Sequence, residues 1–163
     1  MKAAIAVIAS AIALNLSSIA HANVSVEHDD VTVVAEQDMP EMSAKGNFPA
    51  GYCTWYADSM IRKHWGSAFN KGTSWQGNAK DWLANAAKKG LKTSSKPSKY
   101  AIGVFGATKN NEFGHVVFVT DVNDKKKTFT FTEMNYAGLG KTTTRTLSIA
   151  KSGAIGFIAR PSK

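Results

Sequence analysis

The segment GYCTWYADSM contains the single cysteine of the chain, Cys53, at the start of a predicted helix. Apolar residues follow it at Ala57, Met60 and Ile61, a spacing that predicts a helix from Cys53 to about His64 with one buried face. At a helix N-terminus the helix dipole favours the thiolate form of a cysteine. Cys53 is therefore a candidate nucleophile, although a lone cysteine is also often only a small buried apolar side chain.

The segment GHVVFVTDVNDKKKTFTFTEMNY predicts a β-hairpin. Valines alternate with other residues on its first strand, and phenylalanines alternate with threonines on the return strand, so the phenylalanine face is the buried one. A turn that pairs Val122 with about Lys126 places Val119 opposite Phe129. This register matches apolar residues across the two strands.

The same register places His115 opposite Glu133 at the open end of the hairpin, with Asn135 on the same face. A helix packed on the phenylalanine face would bring Cys53 to these residues. Cysteine, histidine and a polar residue that orients the histidine form a nucleophile–base–orienter arrangement, which supports thiolate attack on an amide carbonyl. Taken alone, His115 could also be a histidine buried in the core, and Glu133 could be a charged residue on the surface of the hairpin.

The other elements indicate an α+β domain in which N-terminal helices pack on an antiparallel β-sheet. A second helix is predicted over Asn78–Lys89, with Asn78 as its N-cap and Gly90 at its end. The predicted strands are Ala101–Phe105, His115–Val122, Thr128–Met134 and Ala154–Ala159.

The N-terminal 47 residues differ in composition from the rest of the chain. Residues 1–22 have a short positive start, an apolar run and the small-residue site Ala20-His21-Ala22, which predict a secretory signal peptide. A membrane anchor is the alternative, but Asn15 leaves the apolar run shorter than the ~20 residues of a spanning helix. Residues 23–47 read as an acidic flexible leader, with a short strand at Val31–Ala35. We therefore expect an exported protein, periplasmic or secreted, without stable membrane insertion, whose domain covers residues 48–163.

The domain is strongly basic. After the leader the chain has 18 lysines and arginines against six acidic residues, a net charge of about +12. Such a balance favours an anionic partner, which could be nucleic acid, an anionic lipid surface or bacterial wall material, and export makes nucleic acid the least favoured of the three. A lysine-rich surface without a dedicated ligand is the alternative. One cysteine and scattered histidines lack metal-ligand spacing, so no metal or other cofactor is predicted.

The blocks YCTWYA, WGSA, NAKDWLANAAKKG, GHVVFVTDV and FTEMNYAG resemble the CHAP family, the cysteine, histidine-dependent amidohydrolases/peptidases. The resemblance extends over residues 48–163. It implies a papain-like fold and cleavage of bacterial peptidoglycan, either at the N-acetylmuramoyl–L-alanine amide or within the stem or cross-bridge peptide.

Carried over by position, the resemblance implies roles for seven residues. Cys53 would be the nucleophile, His115 the general base and Glu133 the residue that orients the imidazole, while Asn135 would support the imidazole or the oxyanion. The residues assigned to the substrate groove are Tyr52, Trp55 and Tyr56.

Three features depart from the family. Tyr52 stands where a glutamine often precedes the nucleophile, and YAIGVFGA replaces the usual Gly-Asp turn. The acidic calcium loop of some relatives is absent, and so is a separate wall-binding domain. The basic surface could bind the wall in place of such a domain, in which case binding should weaken with salt.

Two other functions fit the sequence less well. One is a catalytically silent wall-binding module with the same fold, and the other is an amidase acting on a non-wall amide. No immunity or inhibitor partner is identifiable from the sequence.

Overall fold

The structure of the protein is a computed structural model that describes residues 32–34, 48–66 and 77–162. The predicted signal peptide and most of the predicted leader lie outside the described residues. Three leader residues form strand β1, Thr32–Val34, within the short strand predicted there. None of the helices in the described ranges is long and apolar enough to cross a membrane.

The two predicted helices are present, and the second is shorter than expected. Helix α1, Cys53–Trp65, extends one residue beyond its predicted end. The predicted Asn78–Lys89 helix is instead a 3-10 turn, Ala79–Asp81, followed by helix α2, Trp82–Lys88, and the side chain of Asn78 makes no capping bond. The backbone N–H of Lys80 donates to Phe113 O at 2.9 Å, which ties this turn to the loop before the central strand.

After β1, the strands are β2 Thr93–Ser94, β3 Ile102–Phe105, β4 His115–Asn123, β5 Thr128–Met134, β6 Thr142–Ser148 and β7 Ala154–Ile158. In the described part of the chain they form one antiparallel sheet of seven, in the order β1-β6-β5-β4-β3-β7-β2. All four predicted strands are confirmed. Strands β2 and β6 were missed because their polar, threonine-rich sequences lack an apolar alternation.

The predicted register of the β4–β5 hairpin is wrong. Val122 pairs with Phe129 and Val119 with Phe131, with an irregularity between Val119 and Asp121. The turn is longer than expected, because Asn123 pairs with Thr128 and its side-chain oxygen accepts the N–H of Lys126 at 3.0 Å.

The predicted position of α1 on the phenylalanine face is also wrong. Helix α1 packs on the opposite face, in a core that includes Val116, Phe118 and Met134. The phenylalanine face is filled by other sheet residues, among them Phe157 and Leu147, and forms a second core. The run Val116–Val119 is therefore buried on both sides, as in strands covered on two faces.

Candidate active site

Cys53 is the first residue of helix α1, and the backbone before it is held in place. Gly51 has φ +89°, a conformation that favours glycine, and its carbonyl accepts the N–H of Gly140 at 3.0 Å. A Cβ at Gly51 would lie 3.2 Å from Leu139 Cδ1. The segment after β5 is thus bound to the turn that presents the cysteine, a residue that is 9% exposed.

His115 begins strand β4 after a turn that only glycine fits. Gly114 has φ +74°, and a Cβ there would lie 2.6 Å from the carbonyl oxygen of Phe105. The side-chain amide of Asn111 donates to Gly114 O at 2.8 Å. The start of β4, and with it the imidazole, is therefore fixed by its neighbours.

Glu133 lies on β5 and is fully buried, and both of its carboxylate oxygens are bonded. His115 Nε2 lies 2.6 Å from Oε2. Arg145 donates through Nε to Oε1 at 2.5 Å and through Nη2 to Oε2 at 3.2 Å. Thr143 Oγ1 adds a hydrogen bond to Oε1 at 3.2 Å. A buried carboxylate is stable only when paired in this way.

The contact between His115 and Glu133 does not depend on the register we predicted. In the observed register Phe118 pairs with Thr132, which puts Glu133 opposite Val117 rather than His115. The two side chains are still on the same face, and diagonal neighbours on adjacent strands are within reach of long side chains.

The thiol of Cys53 and the imidazole of His115 form a coupled pair. Burial raises the pKa of Cys53, but the hydrogen bond and charge of His115, with backbone hydrogen bonds from Val116 and Thr54, outweigh it, so that the pKa is lowered. Burial lowers the pKa of His115, but hydrogen bonds to Cys53 and Glu133 raise it to about 9. The lowered pKa of Cys53 and the raised pKa of His115 both shift the pair toward thiolate and imidazolium.

Glu133 remains ionised despite its burial. Desolvation raises its pKa, but hydrogen bonds from His115 and Arg145 and their charges lower it below the ordinary value. A charged carboxylate on Nε2 leaves Nδ1 as the ring nitrogen that can serve the thiol. This arrangement can supply a nucleophile, a proton donor and a fixed imidazole orientation.

Arg145 is the site residue that the sequence reasoning missed. It lies on β6, where its side chain is buried between Glu133 and the ring of Tyr136, whose centroid is 3.6 Å from the guanidinium carbon. The detectable signal was an arginine inside a run of β-branched residues, TTTRT, since such a strand seldom buries a cation without a partner.

The other predicted residues are less involved. Asn135 follows β5 with φ +69°, and its backbone N–H donates to Lys141 O at 3.0 Å. Within the described ranges, its side chain forms no hydrogen bond with His115 or Glu133. Tyr52 is exposed beside the cysteine, whereas Trp55 and Tyr56 are buried in the core, which leaves little of either for a groove wall.

Among the described residues, no group of three or more histidine, cysteine or acidic side chains could hold a metal ion.

The family model of the CHAP domain matches residues 43–135 of the chain, which include Cys53, His115 and Glu133. The chain belongs to the CHAP family. Arg145 lies beyond the matched residues, so its contact with Glu133 adds to what the family model covers.

Curated relatives of this CHAP protein include the staphylococcal secretory antigen SsaA. The protein of Staphylococcus epidermidis is 33% identical over 118 residues, which cover 71% of this chain and 42% of SsaA. SsaA of Staphylococcus aureus strain NCTC 8325 is 32% identical over 117 residues, with the same coverage. The chain thus spans less than half the length of these relatives.

Solved structures resemble the CHAP domain as well. An N-acetylmuramoyl-L-alanine amidase from Staphylococcus aureus matches with a TM-score of 0.61 and 27% identity, over 77% of this chain and 35% of that chain. Ly7917, in a crystal structure "with the hydrolyzing product of MDP", matches with a TM-score of 0.51 and 25% identity, over 69% of this chain and 54% of that chain.

Proposed function

We propose that this CHAP protein is an exported, cysteine-dependent peptidoglycan hydrolase with a papain-like fold. The observation that carries the proposal is the contact of a buried, ionised Glu133 with His115, whose imidazole raises the thiolate population of Cys53. Membership of the CHAP family supports it. The likeness to a staphylococcal amidase favours the N-acetylmuramoyl–L-alanine amide as the bond cut, and a stem or cross-bridge peptide bond is the other candidate.

In the first step, the thiolate of Cys53 attacks the carbonyl carbon of the amide. The electron pair of the C=O bond moves to oxygen, where the N–H of Cys53, at the first position of α1, can donate to the oxyanion. His115 then gives its proton to the amide nitrogen, the C–N bond breaks and the amine leaves. A thioester on Cys53 remains.

In the second step, neutral His115 removes a proton from water, and the hydroxide attacks the thioester. The thiolate is expelled, the carboxylic acid is released, and the thiolate–imidazolium pair is restored. Throughout, Glu133 holds Nε2 and stabilises the imidazolium. Arg145 acts on Glu133 alone and is a positioning residue.

Two further residues have supporting roles in this proposal. Asn135 begins the segment that closes on Gly51, and since its side chain makes no hydrogen bond with His115, its support would go to the oxyanion rather than to the imidazole. Tyr52 is exposed next to Cys53 and would contact the substrate.

Export is part of the same proposal. The signal-like residues 1–22 would direct the chain out of the cytoplasm, residues 23–47 would form a leader, and residues 48–163 would form the catalytic domain. Some curated relatives are named secretory antigens, which supports export. A mature N-terminus near Asn23, read by mass spectrometry of the exported protein, would test it.

The test of the activity is digestion of purified peptidoglycan by residues 23–163, with the Cys53→Ala variant as control. New soluble fragments from the wild type alone would support the hydrolase, and their masses would identify the bond. Intact sacculi in both samples, with both proteins folded by circular dichroism, would contradict it.

A further inference from the structure

The C-terminal end of α1 adjoins a cluster of cations, which we call the basic edge. It lies at the end of the sheet where β2 pairs with β7. From Trp82 to Asn111 the sequence contains no acidic residue. The lysines of this segment on the basic edge are all exposed: Lys88, Lys89, Lys92, Lys96 and Lys99.

Two more cations join the basic edge through the fold. The N–H of Ala159 donates to Lys92 O at 2.8 Å, which places Arg160 beside the lysine segment. The imidazole of His64 stacks on Tyr100, with ring centroids 4.9 Å apart, and this contact brings the last turn of α1 and Lys63 to the same place.

The ring of Tyr100 holds two of these cations close together. Lys99 Nζ lies 5.4 Å and Arg160 Cζ 5.5 Å from its centroid, within the range of cation–π attraction. The indole N–H of Trp65 donates to Tyr100 O at 2.7 Å and holds the backbone of Tyr100, while the ring stacks on those of His64 and Phe118. Burial, followed by the charges of Lys63 and Arg160, lowers the pKa of the adjacent His64.

A surface cavity of about 370 Å³ opens at the same place. It is lined by residues 90–92 and 159–162, so that Lys92 and Arg160 both contribute to its wall. No ion pair in the described part of the chain involves Lys92, Lys99 or Arg160, whereas the buried Arg145 is paired with Glu133.

Solubility explains scattered lysines, and the helix dipole explains a cation such as Lys63 in the last turn of α1. Neither explains why unpaired cations from two separate segments, Lys92 and Lys99 in one and Arg160 in the other, meet around one aromatic ring and one cavity. Like charges brought together repel each other, and an anion between them removes that cost.

We propose that the basic edge binds anionic groups, phosphate or carboxylate, of bacterial wall polymers. His64 lies eleven positions after Cys53 on α1, which corresponds to ~16 Å along the helix axis. A polymer bound at the basic edge would thus be retained at a distance from the reacting bond. The choice of wall material over nucleic acid rests on the proposed function.

The experiment measures binding to sacculi in a background that cannot digest them, Cys53→Ala. In that background, the variant Lys92→Gln/Lys96→Gln/Lys99→Gln is compared with Lys125→Gln/Lys126→Gln/Lys151→Gln, in which three exposed lysines away from the basic edge are changed. Both triple variants lose the same charge. We expect sedimentation with sacculi at low salt to weaken about tenfold for the first and less than twofold for the second.

Two further measurements identify the ligand. Sacculi stripped of phosphodiester-linked polymers by hydrofluoric acid separate the sources: loss of binding assigns the phosphates, and retained binding assigns the peptidoglycan carboxylates. Raising the salt to about 150 mM should weaken binding by the background protein more than by the first triple variant.

Equal weakening of both triple variants would overturn the proposal, since net charge alone would then explain binding. Tighter binding to duplex DNA than to sacculi would overturn the choice of partner. Because Cys53→Ala is used throughout, a failure of the basic edge is distinguishable from a failure of hydrolysis.

Discussion

The two ends of helix α1 carry charge in opposite ways. At its N-terminus, Cys53, His115, Glu133 and Arg145 are buried or nearly so, and each charged group has a partner. At its C-terminus, the lysines of the basic edge are exposed and have no acidic partner among the described residues. A buried charge needs a partner, and burial with pairing shifts pKa values in a way that suits catalysis. An exposed charge without a partner can instead attract an anionic polymer.

The largest effect should come from replacing the thiol. Cys53→Ala removes the nucleophile, and we expect hydrolysis of sacculi to fall by about 10³-fold or more. Cys53 has little volume to lose, so the melting temperature should change little. Turbidity clearing and thermal unfolding measure the two quantities, and residual clearing within tenfold of wild type would assign the activity elsewhere.

The next effect tests whether the buried charges depend on each other. Arg145→Met removes the guanidinium that bonds both oxygens of Glu133 and leaves His115 as its only cationic partner among the described residues, and we expect the free energy of unfolding to drop by about 3–5 kcal/mol. Arg145→Lys keeps the charge but not the two-pronged contact, so it should restore part of the stability and of kcat. Urea unfolding and kcat give both readouts. A Lys variant no better than the Met variant in both would refute a role for the charge.

The pH dependence should report on the His115–Glu133 contact. The pKa of His115 is raised to about 9, above its unfolded value. The imidazolium therefore contributes fully to the stability of the folded state below pH ~6.5, and this contribution is lost as the pH rises through about 9. We expect kcat/KM to fall about tenfold per pH unit above that point.

Glu133→Gln supplies the control for this profile. It removes the negative charge beside His115, and the alkaline limb should move to lower pH. An unmoved limb, in a variant that remains folded, would mean that Glu133 does not set the pKa of His115.

The smallest effect should come from the basic edge. Lys96→Gln changes an exposed side chain without an acidic partner, and we expect the free energy of unfolding to change by less than about 0.5 kcal/mol. Chemical denaturation beside wild type measures it. A loss above 1 kcal/mol would remove the contrast between the two ends of α1.

Local sequence patterns predicted the helices and strands, whereas the register and the packing of these elements depend on long-range contacts. The apolar spacing of α1 and the alternation in β4 and β5 fixed those elements almost to the residue. The hairpin register failed because the choice among turn lengths depends on one side-chain bond, Asn123 to Lys126 N–H, and on an irregularity near Asp121 that no periodicity reveals.

The candidate site was predicted in part for a reason that survives the register error. His115 and Glu133 share a face in both registers, because near them the observed register differs from the predicted one by two residues, and a shift of two keeps each side chain on its face. Arg145 lies on β6, a strand without apolar alternation, so its position could not be derived. The face of the sheet on which α1 packs could not be predicted either, because Val116–Val119 is apolar on both sides and a helix could pack on either face.

The hydrogen bond from Gly140 N–H to Gly51 O has a consequence for how the protein becomes active. It joins segments almost ninety positions apart, one before the nucleophile and one after Glu133. Contacts of such long sequence separation form late in folding, because the intervening loop must close first. A chain still emerging from the ribosome or crossing a membrane would hold the thiol, the imidazole and the carboxylate apart, so the proposed hydrolase would acquire its activity only when its fold is complete.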